Sequence, residues 1–218
     1  MSEWEKCHTP KIHQNDCTYA PNALFDYFSL VCALKKADIQ FEVSDDFENL
    51  VKFKKIIIPG VGHIDNFFDK KKPQELKKLI DTYTQGGGLV YGICLGAQAF
   101  LDVSEESGDK TCSILTGKTV SLEKNFNKVM NVSFKNLLHN EKNIFFKKIF
   151  NGIEDKKFYF LHKYYCDIEE KNVEKVFFNF ENQKLIAAFF GNGVIGTQFH
   201  PELSKNAGLK FLKNFEKI

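Results

Sequence analysis

The chain contains no arginine: all 30 of its basic residues are lysine. Planar, two-pronged recognition of phosphate or carboxylate is therefore excluded, and any anion must be held by ammonium groups or backbone N–H groups. Charge of one sign is lacking as well. A formal net charge of +2 leaves no footprint for nucleic acid or an anionic membrane surface. The six cysteines (Cys7, Cys17, Cys32, Cys94, Cys112, Cys166) include no C-x-x-C pair and no paired framework, so neither a zinc ribbon nor a disulfide scaffold is expected. No run approaches the roughly 20 apolar residues that span a bilayer. The start, Met1 to Lys6, has no apolar run of a signal peptide. A cytoplasmic location follows as the expectation. His8 and His13, with Cys7 or Cys17, match no ligand spacing, so no metal and no cofactor is assigned.

What is present is an ordinary apolar fraction, 43%, in 218 residues, enough for one domain over 1–218 with a buried core. Residues 1–21 are polar and poorly patterned. A helix is expected over Asn22–Ala37, with Leu24, Phe28, Val31 and Cys32 at helical spacing. Short strands follow at Ile39–Val43 and Lys55–Ile58. Pro73 suits the first turn of a helix through about Gln85, stopped by Gly86-Gly87-Gly88. Leu89–Ile93 reads as another buried strand, followed at once by a helix near Leu95–Asp102. Such alternation implies an α/β fold: an open, twisted, mostly parallel sheet with helices on both faces.

The second half changes rhythm. Strands are expected at Lys118–Glu123, Lys128–Phe134, Phe158–Asp167, Val176–Phe180, Leu185–Phe190 and Val194–Phe199. Glu181-Asn182-Gln183 and Gly191-Asn192-Gly193 are turn signals between them. These strands should add antiparallel pairs to the same sheet. A last helix over Asn206–Ile218 carries Leu209, Leu212 and Phe215 on one side.

Three segments carry chemistry. Gly92-Ile93-Cys94-Leu95-Gly96, between a buried strand and a helix, is the thiol version of a nucleophile elbow. The tight turn puts Cys94 at the strand's carboxyl end in a strained backbone conformation, and the following helix start favours a thiolate and offers the Leu95 N–H to an oxyanion. Gln198-Phe199-His200-Pro201-Glu202 ends the last strand. His200 and Glu202 are two apart, so the carboxylate can orient the imidazole while the ring faces the thiol. Pro59-Gly60-Val61-Gly62-His63 ends a third strand, and its glycines allow backbone N–H groups to point inward as oxyanion donors. Nucleophile, base and oxyanion donors at three strand ends fit the carboxyl edge of an open α/β sheet. Lys70-Lys71-Lys72 reads as a solvated charge run, and His139 has no assigned role.

With Gly92–Gln98, Tyr159–Tyr164 and Gln198–Glu202 in family order after Pro59–His63, the chain resembles the class I, triad-type glutamine amidotransferases. The likeness is strongest to the glutaminase subunit of imidazole glycerol phosphate synthase. The resemblance implies a flavodoxin-like amidotransferase fold and hydrolysis of L-glutamine by Cys94, His200 and Glu202. It implies an oxyanion hole from Leu95 and the Val61–Gly62 segment. Substrate contacts would come from Gly60, Gly62, Gln98, His162, Lys163 and Tyr164. It also implies a synthase or cyclase partner in trans, a (β/α)₈ barrel that receives the ammonia in histidine biosynthesis. Ammonia released into water would be protonated and dispersed, which is the physical reason to require such a partner.

The chain departs from the family at residues 11–22, too polar for the expected first central strand. It departs again at Lys163, where serine or threonine is common, and at Leu203, where lysine is frequent. Three other readings stay open: a glutaminase serving a sugar-amidating enzyme of surface-glycan pathways, a stand-alone γ-glutamyl hydrolase, and a non-catalytic regulatory subunit.

Overall fold

The computed structural model describes residues 17–19, 26–44, 46–68, 72–126, 128–138 and 144–218. Cys7, His8, His13, Leu24, the lysine pair 70–71 and His139 lie outside the described residues. In chain order the strands are β1 Cys17–Tyr19, β2 Glu42–Ser44, β3 Lys55–Ile58, β4 Leu89–Ile93, β5 Val103–Ser104, β6 Gly117–Ser121 and β7 Asn131–Leu138. They continue with β8 Lys157–His162, β9 Tyr164–Ile168, β10 Glu174–Phe180, β11 Gln183–Gly191, β12 Val194–Thr197 and β13 Phe199–His200. The helices are α1 Asp26–Lys36, α2 Phe47–Leu50, α3 Ile64–Phe68, α4 Pro73–Gln85, α5 Leu95–Gln98, α6 Leu122–Asn125, α7 Ile144–Ile149 and α8 Lys205–Lys217.

Ten strands form one sheet in the order β13-β8-β7-β10-β11-β12-β4-β3-β1-β2. From β2 to β12 the neighbours are parallel, and from β12 to β13 antiparallel. Side chains alternate across this sheet as the pleat requires. Ile57, Tyr91 and Ile93 join the core under α1, α7 and α8, while Ile56, Ile58 and Val90 join the core under α3 and α4. Burial of Leu76, Leu79, Ile80 and Tyr83 at i, i+3, i+4 and i+7 explains α4, which starts with Pro73 in its first turn. Turns with positive φ at Glu181, Asn192 and Gly193 close the two hairpins flagged by their sequences.

Several expectations are corrected. The polar stretch judged unfit for a central strand contributes β1, which pairs in parallel with both β2 and β3. Three residues of backbone pairing suffice for this, because ladder bonds involve no side chain. On α1 the buried face is Leu30, Val31, Ala33 and Leu34, with Ala37 just after it, so Val31 is buried as expected while Phe28 is 48% exposed. On α8, Gly208, Phe211, Leu212 and Phe215 face the core, with Leu209 only partly buried. The strand expected at Lys118–Glu123 is β6. It does not join the main sheet but forms a second one, β5-β6-β9. The single strand expected over Phe158–Asp167 is two, because the chain leaves the main sheet at Lys163 and enters the small one.

Candidate active site

Register builds the site. Ile58 lies opposite Gly92, and Gly92 opposite Gly196, in the parallel trio β3-β4-β12. The three chains therefore leave the sheet side by side, and Pro59-Gly60, Cys94 and Gln198 emerge at one carboxyl edge. The Cys94 N–H donates to the Thr197 carbonyl at 2.7 Å, tying the elbow to β12. Cys94 itself has φ +52° and ψ −104°, a left-handed conformation that L residues rarely hold without compensation. The compensation is packing. A Cβ on Gly96 would stand 2.0 Å from the Ile58 carbonyl oxygen, and one on Gly92 2.6 Å from the Ala97 nitrogen. Only glycine permits that approach of strand and helix.

The helix after the elbow is shorter than expected. α5 is one turn, Leu95–Gln98, and the bonding then tightens to Phe100 N–H on the Ala97 carbonyl. A single turn supplies little dipole, so the thiol's electrostatics depend on side chains. His200 and Glu202 provide them. His200 Nδ1 is 2.7 Å from Glu202 Oε1, and both side chains are almost wholly buried. Burial opposes charge on the imidazole, but the Cys94 sulfur and then the Glu202 carboxylate outweigh it and hold the His200 pKa well above the ordinary histidine value. The remaining ring nitrogen, Nε2, is buried without a hydrogen bond. A close approach of α8 fixes this pair: the Ser204 hydroxyl donates to the His200 carbonyl at 2.6 Å, and a Cβ on Gly208 would collide with the Pro201 carbonyl.

A cavity of about 350 Å³ opens at Cys94. Of the residues expected in the site, Val61, Gly62, Leu95, Gln98, His162, Lys163 and Tyr164 line it. Larger depressions, of about 700, 560 and 470 Å³, lie elsewhere, the first at the amino ends of β3 and β4 beside Lys54 and Leu89. None of these includes the cysteine.

Two of the expected site residues are engaged in hydrogen bonds within the protein. The Leu95 N–H, expected to be a free oxyanion donor, donates to the Gly60 carbonyl at 3.2 Å. A buried N–H without substrate must find an acceptor, and Gly60 supplies it. Gly60 thus presents its oxygen to the Leu95 N–H and does not line the cavity. His162, expected to contact substrate, has both ring nitrogens engaged: Nδ1 with the Tyr164 carbonyl at 2.9 Å and Nε2 with Asn131 Nδ2 at 3.0 Å. The carbonyl can only accept, so Nδ1 carries the proton and Asn131 donates to Nε2. Burial pushes the His162 pKa down to about 3.

Glu106 was missed from sequence. It lines the cavity, and its Oε2 accepts the Ile64 N–H at 2.8 Å, bridging to the turn after Gly62. A lone carboxylate in a polar loop gives no signal of this. Met130 and Leu161 complete the mouth. The Cys94 thiol faces the Leu161 carbonyl at 3.6 Å.

The family model described as Glutamine amidotransferase class-I matches residues 25–218. The chain belongs to the class-I glutamine amidotransferases. Among curated relatives of this amidotransferase is imidazole glycerol phosphate synthase subunit HisH of Chlorobaculum tepidum, 33% identical over 81% of the chain and 87% of the relative. The proteins of the same description from Pyrococcus furiosus and Bacillus subtilis are each 32% identical, over 85% and 88% of the chain and 92% and 91% of theirs. Two solved structures from Thermotoga maritima share the fold. One, a glutamine amidotransferase, has a TM-score of 0.61 at 14% identity, over 94% of the amidotransferase and 84% of that chain. The other, in PurLQS, has a TM-score of 0.63 at 18% identity, over 94% and 99%. No helix among the described residues is long and apolar enough to cross a membrane.

Proposed function

We propose that this amidotransferase hydrolyses L-glutamine with Cys94, His200 and Glu202 and passes the ammonia to a synthase subunit in trans, the cyclase of imidazole glycerol phosphate synthase. The observation that carries the reading is the strained Cys94 elbow beside a buried imidazole–carboxylate pair, facing a cavity sized for one amino acid.

In this mechanism the Cys94 thiolate attacks the glutamine amide carbon. The carbonyl oxygen becomes an oxyanion. Collapse of the adduct breaks the C–N bond while imidazolium His200 gives its proton to the departing nitrogen, leaving ammonia and a γ-glutamyl thioester. Neutral His200 then takes a proton from water, the hydroxide adds to the thioester, and collapse expels the Cys94 thiolate with glutamate. Glu202 keeps the ring oriented and balances its charge. Glu106 suits the substrate's α-ammonium, and Lys163 its α-carboxylate.

The oxyanion needs the Leu95 N–H, which the Gly60 carbonyl holds at rest. Rotation of the Gly60–Val61 peptide removes that oxygen and brings the Val61 N–H into its place. That rotation turns ψ of Gly60 and φ of Val61, and glycine at position 60 has no side chain to oppose it.

A partner is supported by the surface beside the mouth. Met130, Val132, Phe134 and Leu203 are each 37–51% exposed, and Val132 and Phe134 stand on one face of β7 opposite Leu161 and Tyr159. Exposed apolar side chains at these positions support a contact surface. HisH relatives at about a third identity favour the cyclase as acceptor. Leu203, apolar and 39% exposed, favours the second reading, a sugar-amidating acceptor, to the extent that the contact differs there. Glutamine hydrolysis measured with and without each candidate partner tests the proposal. Strong stimulation by the cyclase is expected, and full activity alone, unaltered by any partner, would overturn it.

A further inference from the structure

The Cys94 sulfur has a neighbour that the triad does not account for. Gln198 Nε2 lies 3.5 Å from Cys94 Sγ, and the Gln198 side chain is 2% exposed. Which end of that amide faces the sulfur follows from the surrounding bonds. The Tyr164 carbonyl can only accept, so Gln98 must present its Nε2 there, at 2.9 Å. The same Nε2 lies 3.3 Å from Gln198, which must therefore offer its Oε1. The Cys166 thiol, kept protonated by burial, points at that oxygen from 3.8 Å. Oxygen toward Gln98 and Cys166 leaves only the N–H₂ end for Cys94.

We infer that Gln198 is a positioning residue that stabilises the anionic form of Cys94, through a neutral N–H held in place by Gln98. The inference rests on Cys94 being the nucleophile proposed above. As a thiol, Cys94 can donate to the Leu161 carbonyl at 3.6 Å. As a thiolate it repels that oxygen and instead accepts from Gln198. The Gln198 contact thus favours the charged state, and does so without a charge of its own, so it does not compete with His200 for the proton. Because α5 is one turn long, this donor replaces much of what a longer helix would supply. Gln198 reaches the site because β12 ends one residue before it, level with Ile93 of β4.

The test compares the protein with Gln198→Met, which keeps the volume but removes the donor. Cys94 alkylation by iodoacetamide is followed across pH and located by mass spectrometry. The variant is expected to fold with an unchanged melting temperature. At neutral pH it should alkylate about tenfold more slowly, as for one lost hydrogen bond to a charged group, with its profile displaced to higher pH. With the partner bound, kcat should fall while KM for glutamine stays within about twofold. A folded variant with the native alkylation profile would overturn the inference. Should Gln198→Met fold poorly, Gln98→Met reads the same quantity, since it leaves Gln198 in place but frees its amide to turn. Alkylation requires no glutaminase turnover. Failure of the native protein to hydrolyse glutamine would therefore count against the proposed function alone.

Discussion

Cys94 and Gly60 are joined through the first residue of α5: the Leu95 N–H, directly after Cys94, is held by the carbonyl of Gly60, 3.2 Å away. One backbone bond thus ties the Cys94 turn to the loop after β3, and the consequences for activity and stability can be measured.

Replacing Cys94 by Ala is expected to lower glutamine-dependent synthesis by roughly four orders of magnitude or more, while synthesis from added ammonium salt continues. Both rates, measured on the same complex, check this. Loss of both would assign Cys94 a structural role instead.

Glu202→Gln should be milder than Cys94→Ala by about ten- to a hundredfold, because the carboxylate orients and balances His200 but forms no bond to substrate. Comparable losses in kcat would mean that Glu202 reacts directly.

Glu106→Gln should raise KM for glutamine by about tenfold with a smaller effect on kcat, as expected for loss of one charge-assisted contact. The amide oxygen can still accept the Ile64 N–H, so the loop keeps its shape. Steady-state kinetics with the partner present decide the split.

Gly96→Ala is expected to destabilise the fold by about 3 kcal/mol and to lower the melting temperature by roughly 10 °C. The new Cβ would fall 2.0 Å from the backbone oxygen of Ile58, which no side-chain rotation relieves. Thermal unfolding measures it.

The two buried histidines should act on stability in opposite pH ranges. His162 has a folded pKa of about 3, below its unfolded value of about 6.5. Between those values the unfolded chain binds the extra proton. Stability on this account is intact above pH 6.5 and falls on acidification, by about 1.4 kcal/mol per pH unit. His200 is raised, so its contribution is complete below pH 6.5 and is lost as pH climbs through its folded pKa. Urea denaturation of His162→Gln should show a flatter acid limb and an unchanged alkaline one.

Much of the fold could be read from punctuation and period. Pro73 and Gly86 bracket α4, and the apolar runs of β3 and β4 stop at Pro59 and Cys94, so those boundaries match residue for residue. The candidate nucleophile, base and glycine-rich turn were legible because each sits at a strand end with a distinctive local pattern. The departure of the chain at Lys163 was not. No glycine, proline or other turn residue interrupts the strand-like run from Phe158 to Cys166, and only pairing partners far away in sequence separate β8 from β9. Glu106 and Gln198 escaped for a related reason, since their roles come from Ile64 and Cys94, which approach only in three dimensions.

On the proposed mechanism, the Gly60 carbonyl held by the Leu95 N–H should make the resting protein selective among thiol reagents. A glutamine-like diazoketone must develop negative oxygen where the Gly60 carbonyl now sits, so it should react sluggishly until a partner turns that peptide. A small alkyl halide develops no such charge, and the loop leaves it indifferent. The ratio of the two labelling rates therefore works as a gauge of the loop, readable without any turnover of glutamine.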